Sequence, residues 1–386
     1  MAIMVIIVCL VQFLTSVEWG MFSALIPFIG EHFAIPKSNV IYLTAGFAAI
    51  GIISPLFCLV ADRRNKKELL KWAVLIYAIG TFLSGASINY LFFALGRLIT
   101  AIGTFTLNAT LISYLSDFIP YEKRGNMVGK IRLAWALSVF LAPVYGTQVI
   151  SRLGFSWTYW FCTLAALIAW ILVLKLPASN TTNSQDSLSW KEYSNIFREP
   201  VTKKIILIAF GWAATPILMY SYLAIWLQTK FGLEAYQMGV VFSLITLGSM
   251  IGAFLSATFS DKIGKARMVK MGMLLMLLAV TPLPNLNSIK WIIVCSLLVN
   301  VGLDSGWSSF QAVVSQLNPG KRTVFVSLIS ASSACSSLFF ACLSPAIFKW
   351  GGYSLIITVG VILSWLALLL TFSLTQEKGL SYEIKY

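Results

Sequence analysis

The sequence predicts an all-α, polytopic membrane protein of twelve transmembrane helices in two pseudo-symmetric six-helix halves. Three observations carry that expectation. First, 58% of the 386 residues are hydrophobic and only 11% are charged, too few polar groups to cover a soluble domain of this size. Second, apolar runs recur that are long enough to cross a ~30 Å hydrocarbon layer as helices, without the alternation of a barrel wall. Third, short charged phrases of the first half return in the second.

Taken in order, the spans are 3–29, 38–61, 69–88, 90–117, 125–149 and 155–177, then 204–229, 236–260, 268–286, 290–316, 323–347 and 353–374. The first opens MAIMVIIV, with no basic leader and no small-residue cleavage site after it, so it reads as a retained membrane helix. The only long polar segment, ASNTTNSQDSLSWKEYSNIFREPVTKK, separates the sixth span from the seventh. The expected organisation is a six-helix bundle over 1–177, a cytoplasmic linker over 178–203 and a second bundle over 204–386.

The net charge of +14 is explained by topology rather than by a nucleic-acid partner. With the N-terminus inside, only Lys37, Arg152, Lys230, Lys290 and Lys349 fall at outer loops or helix ends, and Arg97 lies within a span. The other basic residues gather on the inner side, the positive-inside bias. Both termini are therefore expected in the cytoplasm of a cell with a bacterial-type inner membrane, with anionic lipid heads as nonspecific partners. A monomer is the expected state.

Cys9, Cys58, Cys162, Cys295, Cys335 and Cys342 all fall inside spans without a CxxC pair and read as small packing residues. The single histidine, His32, sits in an expected outer loop, so no metal site is expected. No Walker-type loop is present, and the scattered acids supply no compact nucleophile–base set. An enzyme is not expected, and neither is a cofactor.

The repeat is specific. FCLVADRRNKKELL at 57–70 is echoed by ATFSDKIGKARMV at 257–269. Asp62 and Asp261, Ser116 and Ser315, and Pro120 and Pro319 all recur at one fixed offset, while Pro143 and Pro345 each fall near the outer end of a span. Two parallel halves of six helices are a transporter architecture, with a substrate site expected near the midplane.

These residues resemble the major facilitator superfamily, most closely its twelve-helix drug:proton antiporters and small-molecule efflux permeases. The turn at 58–70 is similar to that superfamily's signature, with Asp62, Arg63, Lys66 and Lys67 at its charged positions, and Cys58 and Asn65 where it has glycine. The second copy has Asp261, Lys262, Gly264, Lys265 and Arg267. ALGRLITAIG at 94–103 is similar to the family's membrane-arginine segment, and EWGMFSALIP at 18–27 places Glu18 where the antiporter group commonly holds an acid. In LSVFLAPVYG at 137–146, Pro143 and Gly146 are what match the group's fifth-helix segment. The resemblance implies transport by alternating access, with the proton as coupling ion.

Beside the resemblance, the charged turns have a mechanical reading. An aspartate at a helix end accepts bonds from amides and pairs with nearby arginine or lysine. Asp62, Arg63, Lys67, Asp117 and Arg124, with Asp261, Lys262 and Arg267 in the second half, form candidate inner gates. The alternative is a charge set that only fixes topology.

Glu18, Arg97 and Asp304 fall well inside spans, each at a cost of about 2.5–3.5 kcal/mol on insertion scales. At a ~1.5 Å rise per residue, Arg97 lies about 12 Å and Glu18 about 15 Å below the outer ends of their spans. Two readings stand for the pair. Burial favours the neutral acid and arginine the carboxylate, so alternating environments would load and release a proton; otherwise a permanent ion pair joins two helices. Asp304 is a candidate for proton coupling or for a cationic substrate group.

Candidate substrate contacts follow from polar faces at helical spacing. Arg97 heads Thr100, Thr104 and Asn108; Gln12, Ser16, Trp19 and Ser23 line the first span, with Glu18 on its flank. The tenth span aligns Asn300, Asp304, Trp307, Ser308 and Gln311, and the seventh aligns Trp212, Thr215, Met219, Tyr222 and Trp226. An aromatic–polar face suits an amphipathic organic molecule; helix packing is the other reading. Ser330, Ser333 and Ser337 form a small-residue stripe expected to pack closely.

The function expected is secondary active transport, a proton-coupled exporter of a small organic molecule, drug-like or a metabolite. The alternative is a proton symporter importing a nutrient. Reporter fusions at Asn89, Ser187 and Lys290 should read outside, inside and outside. An extracellular signal from Ser187 would contradict the twelve-span reading.

Overall fold

The computed structural model describes residues 2–53, 65–118, 121–178, 199–317 and 322–377. Among the described residues a helix stands at each expected span, the second of them as far as Ile52, its remainder over 54–61 lying outside the described residues. The first six places hold Ala2–His32, Lys37–Val40 with Tyr42–Ile52, Lys66–Gly85, Tyr90–Ser116, Tyr121–Leu153 and Phe155–Leu174. The next four hold Pro200–Phe231, Ala235–Ile263, Lys265–Val280 and Ile289–Leu317. Arg322–Glu377 carries the last two, separated by non-helical backbone at Gly351 and Gly352. Gly352 has φ 61° and no atom near its missing side chain. Its glycine therefore serves the left-handed turn, not a close approach.

Local chemistry sets several helix starts. Asn65 accepts from the amides of Lys67 (3.1 Å) and Glu68 (3.4 Å), and Asn89 accepts from Phe92 N at 2.8 Å. Both satisfy amides that the first helical turn leaves unpaired. His32, expected in a loop, instead closes the first helix and stacks on Phe155 with centroids 4.2 Å apart. An apolar partner at that end let the helix continue.

The repeat is visible in the helices. Prolines lie inside the corresponding first and seventh spans (Pro27, Pro216) and fifth and eleventh spans (Pro143, Pro345). Within each half, the two proline-bearing spans are also fastened to each other by serine. Ser138 Oγ donates to Phe13 O at 2.8 Å, while Ser332 and Ser336 donate to Ile206 O (2.7 Å) and Phe210 O (2.8 Å). The eleventh-span stripe expected at Ser330, Ser333 and Ser337 is thus shifted. Ser332 and Ser336 are buried against the seventh span, while Ser330 is exposed, because the rotation of the helix about its axis is set by its neighbour.

Glycine contacts draw other helices together, as small residues do in membrane bundles. A Cβ on Gly103 would lie 2.6 Å from Tyr77 N, joining the third and fourth spans. In the second half, a Cβ on Gly302 would lie 2.5 Å from Gly272 O and 2.6 Å from Met276 N.

The chain divides into two compact units, Met1–Ser187 with Leu227–Ser243, and Leu188–Trp226 with Leu244–Tyr386. Leu227–Ser243 therefore groups with the first unit. One reason is polar: Lys37 Nζ donates to Glu31 Oε1 (2.9 Å) and Gln228 Oε1 (2.6 Å), and Gln228 Nε2 donates to Glu31 Oε1 (3.0 Å).

Gly302→Val meets ninth-span backbone at Gly272 O and Met276 N, so the ninth and tenth spans must separate. Overpacking of this kind costs about 1–3 kcal/mol, so thermal melting of detergent-purified protein should fall clearly. Unchanged melting would contradict the close packing.

Candidate functional site

The first unit is organised around one buried ion pair. Glu18 on the first span is 1% exposed and Arg97 on the fourth is 2% exposed. Arg97 Nη1 contacts Glu18 Oε1 directly. Neither Glu18 Oε2 nor Arg97 Nε has a hydrogen-bond partner among the described residues. The sequence left open whether these groups meet; in this structure they do. Glu18 lies off its helix's exposed flank because that side turns toward the fourth span.

Aromatic rings close over the guanidinium. Its carbon lies 3.9 Å from the centroid of Phe22 and 5.1 Å from that of Phe47. Phe22 stands one turn beyond Glu18 on the same helix face. Tyr159 of the sixth span, 1% exposed, lies within electrostatic reach of Arg97. A cation over a desolvated ring gains about 2 kcal/mol or more, so the rings partly replace the water that burial removed.

Beside the pair is a mixed polar and aromatic surface. Trp19 is 45% exposed and packs on Phe47 at 5.2 Å; Phe47 also meets Phe105 at 5.4 Å. Gln12 Nε2 donates to Ser16 Oγ (2.8 Å) and to Asn108 Oδ1 (3.2 Å). Asn108 is exposed although it lies inside a membrane-length helix. An amide in that position faces water more cheaply than hydrocarbon. Thr104 is half-buried and its hydroxyl donates to Thr100 O, while Thr100 is fully buried. The expected stripe therefore divides, with Arg97 and Thr100 inside and Asn108 at the surface.

In the second unit, Asn300 is 3% exposed and its amide is committed to protein. Nδ2 contacts Tyr220 Oη and lies 3.1 Å from both Ile245 O and Ser296 O; Ser249 Oγ donates to Oδ1 at 3.5 Å. Asn300 thus ties the tenth span to the seventh and eighth. Asp304, one turn along, is half-buried within electrostatic reach of Tyr220. A Cβ on Gly252 would come 3.1 Å from its own Cβ. Gln311 is half-buried.

The seventh-span face is built into the core. Trp212 is fully buried against Trp307 (5.4 Å) and Phe310 (5.7 Å). Thr215 shares a 2.8 Å hydrogen bond with Ser364; Tyr222 stacks on Phe348 at 4.3 Å and Trp226 on Tyr353 at 4.5 Å. These residues join the seventh span to the eleventh and twelfth. Trp307, half-buried, is the accessible member of the Trp212 group.

Of the candidate gates, Asp62 and Arg63 lie outside the described residues, as do the side chains of Arg124 and Asp261. Asp117 pairs with Lys66 Nζ at 2.6 Å, and Lys67 Nζ donates to Leu174 O at 3.0 Å. The start of the third span is thereby tied to the ends of the fourth and sixth, where a cation also suits the helix C-terminus. Lys262 and Arg267 are exposed; Lys262 Nζ lies 6.0 Å from the Phe259 centroid. Among the described residues no group of three metal-ligating side chains occurs.

Phe22, Phe47, Phe105 and Tyr220 belong to these sites, yet the sequence reading passed over them. An apolar residue in an apolar helix carries no compositional signal. Spacing alone offered one clue, since Phe22 follows Glu18 by a single turn.

Removing one member of a buried pair costs about 3–5 kcal/mol because the other charge is left uncompensated. Glu18→Leu and Arg97→Met should each lower the melting temperature of purified protein, and the double variant should recover most of the loss. Additive losses would contradict the pairing.

Comparison with known proteins identifies the family and the fold. The family profile of the Major Facilitator Superfamily matches residues 8–303. The chain is 23% identical over 353 residues to the uncharacterized MFS-type transporter YwfA of Bacillus subtilis (strain 168), covering 85% of this chain and 82% of that protein. It is 24% identical over 303 residues to Multidrug resistance protein 1 of the same organism, covering 76% of each. The crystal structure of a D-xylose-proton symporter superposes with a TM-score of 0.79 at 16% identity, covering 95% of this chain and 96% of that one, a likeness of fold. The chain belongs to the Major Facilitator Superfamily and is a multi-pass membrane transporter, not an enzyme.

Proposed function

We propose that this transporter is a proton-coupled exporter of a small amphipathic organic molecule, working by alternating access with Glu18 as its proton carrier. The observation that carries the reading is the Glu18–Arg97 pair, withdrawn from water inside membrane-length helices. A protonated Glu18 loses most of its hold on Arg97, so proton loading and helix contacts are linked in one place. The exposed Trp19 and Asn108 beside it offer stacking and hydrogen bonding to a ligand. Similarity to Multidrug resistance protein 1 supports export.

Asp304 serves in this reading as a second acid, placed to meet a cationic group of the ligand or to share in proton coupling. Trp307 and Gln311 lie on its face as further ligand contacts. Paired Asp117 and Lys66, with Lys67, act as inner anchors whose release accompanies the change of state. The membrane is a bacterial inner membrane with both termini in the cytoplasm, and the working unit is a monomer.

Import is the second reading. The fold likeness to a D-xylose-proton symporter shows the same architecture in a protein named for proton symport. Vesicle experiments separate the two by the direction of the imposed gradient.

Thermal-shift screening against drugs, sugars, amino acids and nucleobases identifies a ligand, because binding to the folded form raises melting by mass action. In proteoliposomes with an imposed pH step, wild-type protein should drive that ligand opposite to the proton. Glu18→Gln should abolish gradient-driven flux and spare exchange at equal pH. Arg97→Ala should shift the pH optimum upward, and Asp304→Asn should weaken binding of a cationic ligand. Full coupling in Glu18→Gln would remove Glu18 from the mechanism; ligand moving with the proton would favour import.

A further inference from the structure

Protonating Glu18 creates a problem that the ion pair itself cannot solve. Arg97 is 2% exposed, and a guanidinium stays charged under all ordinary conditions. When its carboxylate partner becomes neutral, the cation remains buried and needs another source of stabilisation, or the proton will not bind. That source must be in place beforehand, since a side chain this enclosed has little room to seek one.

Two rings stand in that position. Phe22 faces the guanidinium carbon at 3.9 Å and Phe47 at 5.1 Å, from the first and second spans. Both are buried, at 6% and 2% exposure. A ring face attracts a cation through its quadrupole and neither gives nor takes a proton, so it stays available when Glu18 is neutral and counts for more then, when no carboxylate draws the guanidinium's charge away from the rings. Phe47 is itself braced, by Trp19 at 5.2 Å and Phe105 at 5.4 Å.

We propose that Phe22 and Phe47 are positioning residues for proton coupling, holding the Arg97 guanidinium most strongly when Glu18 is neutral and so setting the pH at which Glu18 loads. The inference rests on the proton-carrier reading of Glu18. It adds a quantity that reading lacks, the free energy of the proton-loaded state. Losing a ring face makes neutral Glu18 more costly, because its neutral form leaves the cation less compensated. Loading then needs a higher proton concentration.

Among the described residues, other titratable groups on the elements packed around the pair are these. The fourth span supplies Arg97 and the sixth supplies Tyr159, with Cys162 beyond it. The fifth supplies Tyr145 and the third Tyr77, both grouped with Cys162. From the second, among its described residues, Lys37 is engaged by Glu31 and Gln228, and Tyr42 is exposed. Phe-to-Leu changes leave all of these groups in place.

Infrared spectroscopy of purified full-length protein reads the loading directly and needs no transported ligand. The protonated-carboxyl band that Glu18→Gln removes is followed as pH is lowered. In Phe47→Leu and Phe22→Leu its midpoint should move toward lower pH, by about one unit where a full ring face is lost. Phe47→Tyr keeps the ring face and should restore the wild-type midpoint. A midpoint unmoved by either leucine variant would overturn the inference, as would a tyrosine variant displaced as far as leucine. Absence of any Glu18-dependent band at every pH would overturn the proton-carrier reading itself, so the two failures are told apart. Melting curves accompany each variant, and a structural role alone would lower melting without moving the midpoint.

Discussion

A guanidinium and a carboxylate, both withdrawn from water and touching inside a membrane-length bundle, are the constraint on which the first unit depends. Neither charge is tolerable there alone. Their meeting fixes how the first span is rotated, since Glu18 must face the fourth span while Trp19 turns to the surface. Close packing then supports that rotation. A Cβ on Gly20 would lie 2.8 Å from the Ala142 side chain, and Ser138 binds Phe13 O. The fifth span therefore holds the first span's other side, and the pair has little freedom except through protonation.

The two halves share this scaffold more than they share chemistry. Prolines and serine-to-carbonyl bonds recur between the first and fifth spans and between the seventh and eleventh. Yet the seventh span carries Trp212, Thr215 and Tyr222 into packing, where the first carries Glu18 to a charge. The second unit's deep polar group is an amide, Asn300, satisfied by atoms of the seventh and eighth spans and of its own helix. Such an amide fastens helices without a titration, because it has no proton to exchange at ordinary pH. In this reading the first unit senses the proton, and Asp304 is the second unit's only comparable acid among the described residues.

The helices were legible because hydrocarbon demands long apolar runs, and the duplication because Asp62 and Asp261 recur within charged turns. Glu18, Arg97 and Asp304 stood out for the same reason, as charges too costly to be incidental. Their depth even brought Glu18 and Arg97 to similar levels. What a single chain does not encode locally is the rotation of each helix about its axis. Hence Ser332 and Ser336 took the packing place expected of Ser330, Ser333 and Ser337, and Tyr222 stacked on Phe348 inside the core. Phe22 and Phe47 were invisible for a different reason: they act by where their faces point, and an apolar helix offers many such rings.

Alternation between a paired carboxylate and a neutral acid is the central claim, and a hydrophobic carbodiimide tests it chemically. Such a reagent adds only to a protonated carboxyl group, and the adduct is located by mass spectrometry of peptides. Purified protein treated across a range of pH should carry the adduct on Glu18 increasingly as pH falls, with Arg97→Ala labelled more readily at each pH. Glu18 left unmodified at every pH, in wild type and in Arg97→Ala alike, would contradict the account and leave the pair as a fixed structural bond.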